Sequence, residues 1–221
     1  MVIVVGGIKG GSGKTTVATN LAVMRAASGR DVVLIDADRQ ATATDFFAVR
    51  LASHPRLTQY TSLPLVGRAF QLEAPRVTRR HDDVIVDTDG QDAEAQKAAL
   101  ALADVLLVPF VPRSFDFWTL DRVVARVQDA RARRRLRACA FLNRVDPRRT
   151  SNDDAEDVLG ESGVLEVLPA RLGSRKAFGA AAARGLAVTE LRPPDAKATE
   201  EVTALYRSVF QDADPAGSTT R

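Results

Sequence analysis

Cysteine is almost missing from this sequence: Cys139 is the one example in 221 residues, and it lies inside the apolar run Ala138-Cys139-Ala140-Phe141-Leu142. One thiol builds neither a disulfide framework nor a cysteine metal site, so a reducing compartment is the natural one and Cys139 reads as core. Histidine is nearly as scarce. His54 and His81 sit in polar loop contexts far apart in the chain, and neither is a credible ligand or general base. Apolar runs are short, none nearing the roughly 20 residues a membrane span needs, and the N-terminus enters a strand without a charged leader or cleavage site. A soluble, cytoplasmic chain is expected. Linker-like stretches are wanting before Asp212. At 23.8 kDa the chain can bury one sizeable core without covalent staples, so residues 1–211 are expected to form one domain and 212–221 a flexible end. Lysine is limited to Lys9, Lys14, Lys97, Lys176 and Lys197, against a net charge of +3 and a pI of 9.3. Arginine therefore carries the basic charge, which suits either a nucleic-acid binder or a GC-rich genome.

What is present is concentrated in Ile8-Lys9-Gly10-Gly11-Ser12-Gly13-Lys14-Thr15-Thr16. The apolar run Val2–Val5 precedes it and a helical pattern from Val17 follows, so it reads as strand, glycine loop, helix. Glycines at 10, 11 and 13 let backbone N–H groups turn inward, and the helix adds its own unpaired N–H groups and positive dipole end. Lys14 is placed to reach the β- and γ-phosphates of a nucleotide, with the Thr15 hydroxyl on Mg²⁺. The strict P-loop pattern has Gly where this chain has Ile8. Lys9, at the rim, is either a solvated charge or a second cation that neutralises transition-state charge, in cis or across a dimer interface.

Further along, Asp31–Asp36, Asp83–Asp87, Asp104–Pro109, Ala138–Leu142 and Val164–Pro169 are short apolar runs, the pattern of strands buried on both faces. Helical patterns over Ala43–Leu51, Ala93–Ala103, Phe117–Val127, Thr150–Glu161, Ser174–Arg184 and Val202–Phe210 separate them. Arg56–Leu63 reads as a strand, and Pro75 as a break in the helical stretch before His81. This alternation predicts an α/β fold: a three-layer P-loop domain with a mostly parallel central sheet flanked by helices. Topology brings Asp36, Asp38 and Asp87 to the edge that holds the loop. Asp87 is expected to hold a water on Mg²⁺, Asp38 to have a catalytic or switch role, and Asp36 to hold the loop or a Mg²⁺-bound water from behind. Asp89 receives no role. Arg131, Arg133, Arg134, Arg135 and Arg137, with Arg148, Arg149, Arg171, Arg175, Lys176 and Arg184, form either a phosphate-binding face or a set of solvated charges.

KGGSGKTT around Lys9, LIDADRQAT at 34–42, VIVDTDG at 84–90, VPFVP at 108–112 and the segment Arg184–Val188 resemble the ParA/MinD family of deviant Walker-A ATPases. The likeness extends over nearly the whole chain and is greatest with the small plasmid-partition ParA-type proteins. It implies ATP and Mg²⁺ as ligands, with Lys9 contacting nucleotide across a dimer. Lys14, Thr15 and Thr16 would hold phosphates and Mg²⁺ within Gly10–Thr16, Asp38 would position the attacking water, and Asp87 would be the Walker-B residue. Asn143, with Arg144 beside it, matches the place where relatives read adenine. The implied function is an ATP-dependent dimerisation switch with slow, partner-stimulated hydrolysis, extending to higher assembly. It would bind duplex DNA nonspecifically on the nucleoid through Arg133, Arg134, Arg135, Arg171, Arg175 and Lys176. A ParB-like or ribbon-helix-helix adaptor would link it to plasmid, chromosome or other cargo. A MinD-like membrane role fits less well, because the chain ends in Gln211-Asp212-Ala213-Asp214-Pro215 where a basic amphipathic helix is needed. A nonhydrolysing scaffold is the alternative of another class. Arg39 and Asp89 stand where the family pattern has proline.

Overall fold

A computed structural model describes residues 1–90, 92–112, 117–146 and 151–210, the side chains of 117–119 and 151–154 excepted. The expected tail, Arg148 and Arg149 lie outside the described residues. Strands β1 (Val2–Val5), β2 (Val32–Ala37), β3 (Thr61–Pro64), β4 (Asp83–Thr88), β5 (Val105–Phe110), β6 (Arg137–Val145) and β7 (Glu166–Gly173) form one sheet in the order β3-β2-β4-β1-β5-β6-β7. Every neighbouring pair is parallel. Helices α1 (Lys14–Ala27), α2 (Thr42–Ser53), α3 (Gly67–Val77), α4 (Ala93–Leu100), α5 (Phe117–Arg131), α6 (Ser151–Glu161), α7 (Lys176–Ala182) and α8 (Ala196–Phe210) cover it.

The continuous apolar runs are explained by two cores. Successive strand residues point to opposite faces, so Ile3, Val5, Leu34, Ile85, Leu107 and Phe141 pack with α1, α2, α7 and α8. Val4, Val33, Ile35, Val86, Leu106 and Leu142 pack with α3, α4, α5 and α6. A half-polar strand would leave one of these helix layers without a partner.

Three expectations change. The strand expected over Arg56–Leu63 shortens to β3, because Pro55 begins a 3₁₀ turn that runs to Leu57. Pro75 does not break α3; it sits in the last turn, where only one intrahelical bond is lost, while buried Phe70 and Ala74 hold the helix on the sheet. β7 also continues past Pro169 to Gly173, and Pro169 falls between Val167 and Arg171, where the register against β6 shifts.

With all strands parallel, one edge of the sheet collects the segments that follow β1, β2, β4, β6 and β7. The opposite edge begins each strand and carries Asp83, Asp104 and the arginines after α5. There Arg25, 1% exposed, meets Asp83 at 2.6 Å and stacks on Phe210 at 4.4 Å.

Candidate nucleotide site

The loop after β1 turns through left-handed backbone at Gly11 (φ 73°) and Gly13 (φ 91°), conformations in which a Cβ is strained. Its tight neighbours are specific. A Cβ on Gly13 would lie 2.5 Å from Asn143 Nδ2, and one on Gly90 would lie 3.0 Å from the Gly7 and Ile8 carbonyls. Lys14 opens α1 with its side chain buried, and its ammonium donates to the Lys9 carbonyl at 3.0 Å. The loop is thus curled around its own lysine.

Other residues tie the loop to the rest of the edge. Asn143 Nδ2 donates to the Ser12 carbonyl at 2.6 Å, its Oδ1 accepts from Arg144 N at 2.9 Å, and Arg144 Nη1 donates to the Gly11 carbonyl at 3.0 Å. Gln96, buried on α4, donates from Nε2 to the carbonyls of Gly7 and Asp89, both at 2.8 Å. Thr88 Oγ1 donates to the Val5 carbonyl at 3.1 Å.

The three expected carboxylates do gather here, with unlike surroundings. Asp36 accepts from Thr44 N and Thr44 Oγ1 at 2.8 Å each, and from Asp38 N at 3.2 Å. Through these donors it holds α2 and the turn that carries Asp38. Asp38, half-buried, accepts from Gln40 N at 2.8 Å. Asp87, 1% exposed, has no hydrogen-bond partner on either oxygen. Burial is the main reason its pKa is pushed up to about 7; Asp36 and Asp38 add to the rise, while Lys14 and the Thr15 hydroxyl, which faces it without completing a bond of ordinary geometry, oppose it. Lys14 is pushed down by burial, against the pull of Asp87, Asp89 and Asp38. Ser12 Oγ is likewise buried and unbonded.

A buried, unbonded carboxylate beside a hydroxyl and an ammonium is costly unless a cation or proton joins it. The left-handed turns at Gly11 and Gly13, beside buried Lys14 and Asp87, make the loop fit a phosphate with its divalent ion. No cluster of three or more His, Cys, Asp or Glu placed to hold a metal occurs among the described residues, so phosphate and water oxygens would have to complete that ion's shell. Beside the loop lies a cleft of about 400 Å³ between Thr16, Asn20 and Asn143 on one side and Ser174, Arg175 and Phe178 on the other. Each end of the Asn143 amide makes one bond to protein, so Asn143 braces the loop at the border of this cleft.

The basic candidates divide. Arg133, Arg134 and Arg135 follow α5 on the edge remote from the loop, with Arg134 Nη2 on Asp104 at 2.7 Å. Arg171, Arg175 and Lys176 lie toward the nucleotide edge, where Arg171 forks onto Glu156 (2.7 and 2.6 Å) and Arg175 onto Glu201 (2.8 and 2.5 Å). The two sets therefore lie toward opposite ends of the strands. His81 pairs with Asp31 at 3.0 Å, away from the site. Cys139 is core, its thiol pushed up to about 12 by burial. Sequence reasoning missed Gly90, Gln96 and Thr44. VIVDTDG contains Gly90 without giving it a role, and no motif marks Gln96, which donates to the Gly7 and Asp89 carbonyls, or Thr44, which donates to the Asp36 carboxylate.

Strand, glycine loop, buried lysine and a lone carboxylate on the neighbouring strand define a P-loop nucleotide-binding domain. Residues 3–188 match the family described as the CobQ/CobB/MinD/ParA nucleotide binding domain, and the chain belongs to that family. It is 35% identical over 211 residues to the "Maintenance of carboxysome distribution protein A" of Gloeobacter kilaueensis, covering 93% of this chain and 90% of that one. The protein of the same description from Halothiobacillus neapolitanus is 26% identical, at 94% and 95% coverage. Among solved structures, apo McdA of Cyanthece superposes with a TM-score of 0.74 at 20% identity, covering 92% of this chain and 98% of that one. No helix among the described residues is long and apolar enough to cross a membrane.

Proposed function

We propose that the chain is an ATP-hydrolysing switch that dimerises on nucleotide and positions a cargo in the cytoplasm, using Mg²⁺ as cofactor. The observation that carries this reading is Asp87, a buried carboxylate with neither oxygen bonded, beside Thr15 and Lys14 at the mouth of the glycine loop. Thr15 and, through water, Asp87 would hold Mg²⁺ there, and that ion would supply charge neutralisation of the phosphates. Lys14 exchanges the Lys9 carbonyl for phosphate oxygens. Gly10 to Thr16 cradle the phosphates, and the cleft bordered by Asn143 and Arg144 takes the nucleoside. Asp36 fixes the Asp38 amide, leaving the Asp38 carboxylate to orient the attacking water. Lys9, exposed at the rim, reaches the nucleotide of a second copy.

The two curated relatives support cargo positioning over plasmid segregation, with a carboxysome or a comparable body as cargo. In this reading nonspecific duplex DNA on the nucleoid is the track, a ParB-like or ribbon-helix-helix adaptor recognises the cargo, and no membrane is involved. Arg133 and Arg135 are the better phosphate contacts, because Arg171 and Arg175 already fork onto carboxylates.

ATP turnover and sizing chromatography test the switch. Asp38→Ala is expected to retain an ATP-dependent dimer while hydrolysing about 10²–10⁴-fold more slowly. A monomeric Asp38→Ala protein, or one with unchanged turnover, contradicts the proposal.

A further inference from the structure

Between α4 and α5, on the face of the sheet they cover, runs a groove of about 280 Å³. Leu100 and Ala130 give it an apolar floor, and its cations are Lys97, Arg126, Arg133 and Arg134, against the single carboxylate of Asp129. Arg134 is satisfied by Asp104. Lys97, Arg126 and Arg133 have no carboxylate partner among the described residues. Like charges drawn together without counter-charge are unfavourable unless something else supplies it, and burial together with Arg122 pushes the Arg126 guanidinium down from its ordinary pKa.

Arg126 is also connected to the phosphate loop. Its Nη1 donates to Gln96 Oε1, and the same amide donates from Nε2 to the carbonyls of Gly7 and Asp89, each at 2.8 Å. The amide orientation is forced: two carbonyls require the NH₂ end, and a guanidinium requires the oxygen. Arg126 and Leu100 line a small void behind the groove that reaches Gly6 and Gly7. Arg126 thus holds Gln96 in the pose that staples the start of the loop to the end of β4.

We propose that the α4–α5 groove docks an acidic, partly apolar segment of a partner protein, and that a carboxylate of that segment draws Arg126 off Gln96, loosening the loop's grip on nucleotide. Charge complementarity selects the occupant, and the apolar floor favours a peptide over a duplex, whose phosphates gain nothing from Leu100 or Ala130. The proposal rests on the nucleotide site described above. Its test reads ADP binding, not turnover, so the two can fail separately.

The probe is a fluorescent 15-residue helical peptide of glutamate and leucine, with a lysine–leucine version as control, titrated onto the full chain by anisotropy at low salt. The glutamate peptide is expected to bind and to weaken ADP binding about two- to tenfold, the factor one lost hydrogen bond allows. Lys97→Glu, at an exposed rim position that carries no part of the nucleotide or duplex site, should cut peptide affinity severalfold while leaving ADP affinity without peptide unchanged. Arg126→Leu should still bind peptide within severalfold but lose its effect on ADP. Absent binding, equal binding by the rim variant, or a persisting effect on ADP in Arg126→Leu overturns the proposal. So does displacement of the peptide by unrelated duplex DNA that the rim variant weakens equally, which makes the groove a polyanion patch. A chain that docks the peptide yet hydrolyses no ATP refutes the switch and leaves the groove standing.

Discussion

Three glycines near the phosphate loop should respond to alanine in three different ways. Gly90 lies outside the phosphate loop, and its backbone is not left-handed, so alanine meets no torsional strain there. Its Cβ, however, would stand 2.9 Å from Lys14 Nζ and 3.0 Å from two backbone carbonyls, Gly7 and Ile8. The lysine tip can step aside, but the carbonyls belong to the loop and cannot yield without moving it. Overpacking of this kind costs about 1–3 kcal/mol, and because the displaced groups are the nucleotide cradle, ADP affinity should fall by about tenfold or more. Gly13→Ala meets both penalties. Its φ of 91° is strained for alanine, worth about 1–3 kcal/mol, and the Cβ at 2.5 Å from Asn143 Nδ2 displaces the amide bonded to Ser12. The expected loss is about 2–4 kcal/mol, adding about 1 kcal/mol for that hydrogen bond. Gly10→Ala meets no atom within 4 Å and should shift stability by about 0.5 kcal/mol or less. Denaturant unfolding and ADP calorimetry on the three variants give the answer. Gly10→Ala as damaging as Gly90→Ala, or Gly90→Ala binding ADP like the parent, would refute the steric argument.

Lys14→Ala is expected to abolish nucleotide binding, whereas Lys9→Ala should spare monomeric binding and lose ATP-induced dimerisation and turnover. Equal loss of ATP affinity by calorimetry in both removes the cross-dimer role of Lys9. Duplex affinity should fall with log salt at about −0.9 per phosphate contact. Replacing Arg133, Arg134 and Arg135 with alanine should flatten that slope more than replacing Arg171 and Arg175, and an unchanged slope returns the first set to solvated charges. Asp83→Ala removes the carboxylate that meets the buried Arg25 guanidinium at 2.6 Å, an expected loss of about 3–5 kcal/mol with ADP affinity intact; a loss below 1 kcal/mol in denaturant unfolding contradicts the assignment.

The α/β alternation was legible because a strand covered on both faces has to be apolar throughout, and Asp31–Asp36, Asp83–Asp87 and Asp104–Pro109 are. The phosphate loop was legible because its backbone needs glycine at fixed offsets from Lys14 and Thr15. Neither reason extends to Gln96, whose contacts with Gly7 and Asp89 depend on how α4 leans on the loop, nor to Thr44, which meets Asp36 only after α2 has docked. The two arginine sets look alike in sequence. Their separation follows from strand direction: one set trails a helix into the start of β6, and the other lies along and beyond the end of β7. Arg171 and Arg175 also find glutamates from α6 and α8, half-buried residues that carry no marker of their partner in the sequence.

Asp36, Asp38 and Asp87 share a residue type and a sheet edge, yet the fold gives them different chemistry. A carboxylate within reach of backbone and hydroxyl donors is satisfied by them, and Asp36, with three such bonds, becomes a brace for the turn that follows β2. Asp38 sits one step further along that turn, half-buried and engaged by one backbone amide, so it keeps acceptor capacity for a water. Asp87, beside Asp36 in the ladder, is buried at the end of a central strand whose own amides are committed to the sheet, and no side chain bonds to it. Lys14 opposes the resulting charge only in part, because burial also weakens the ammonium. The undercompensated carboxylate is therefore a consequence of placing Asp at the end of the strand beside β1 with only the Thr15 hydroxyl and the Lys14 ammonium near it, and a divalent ion brought in with nucleotide would relieve it.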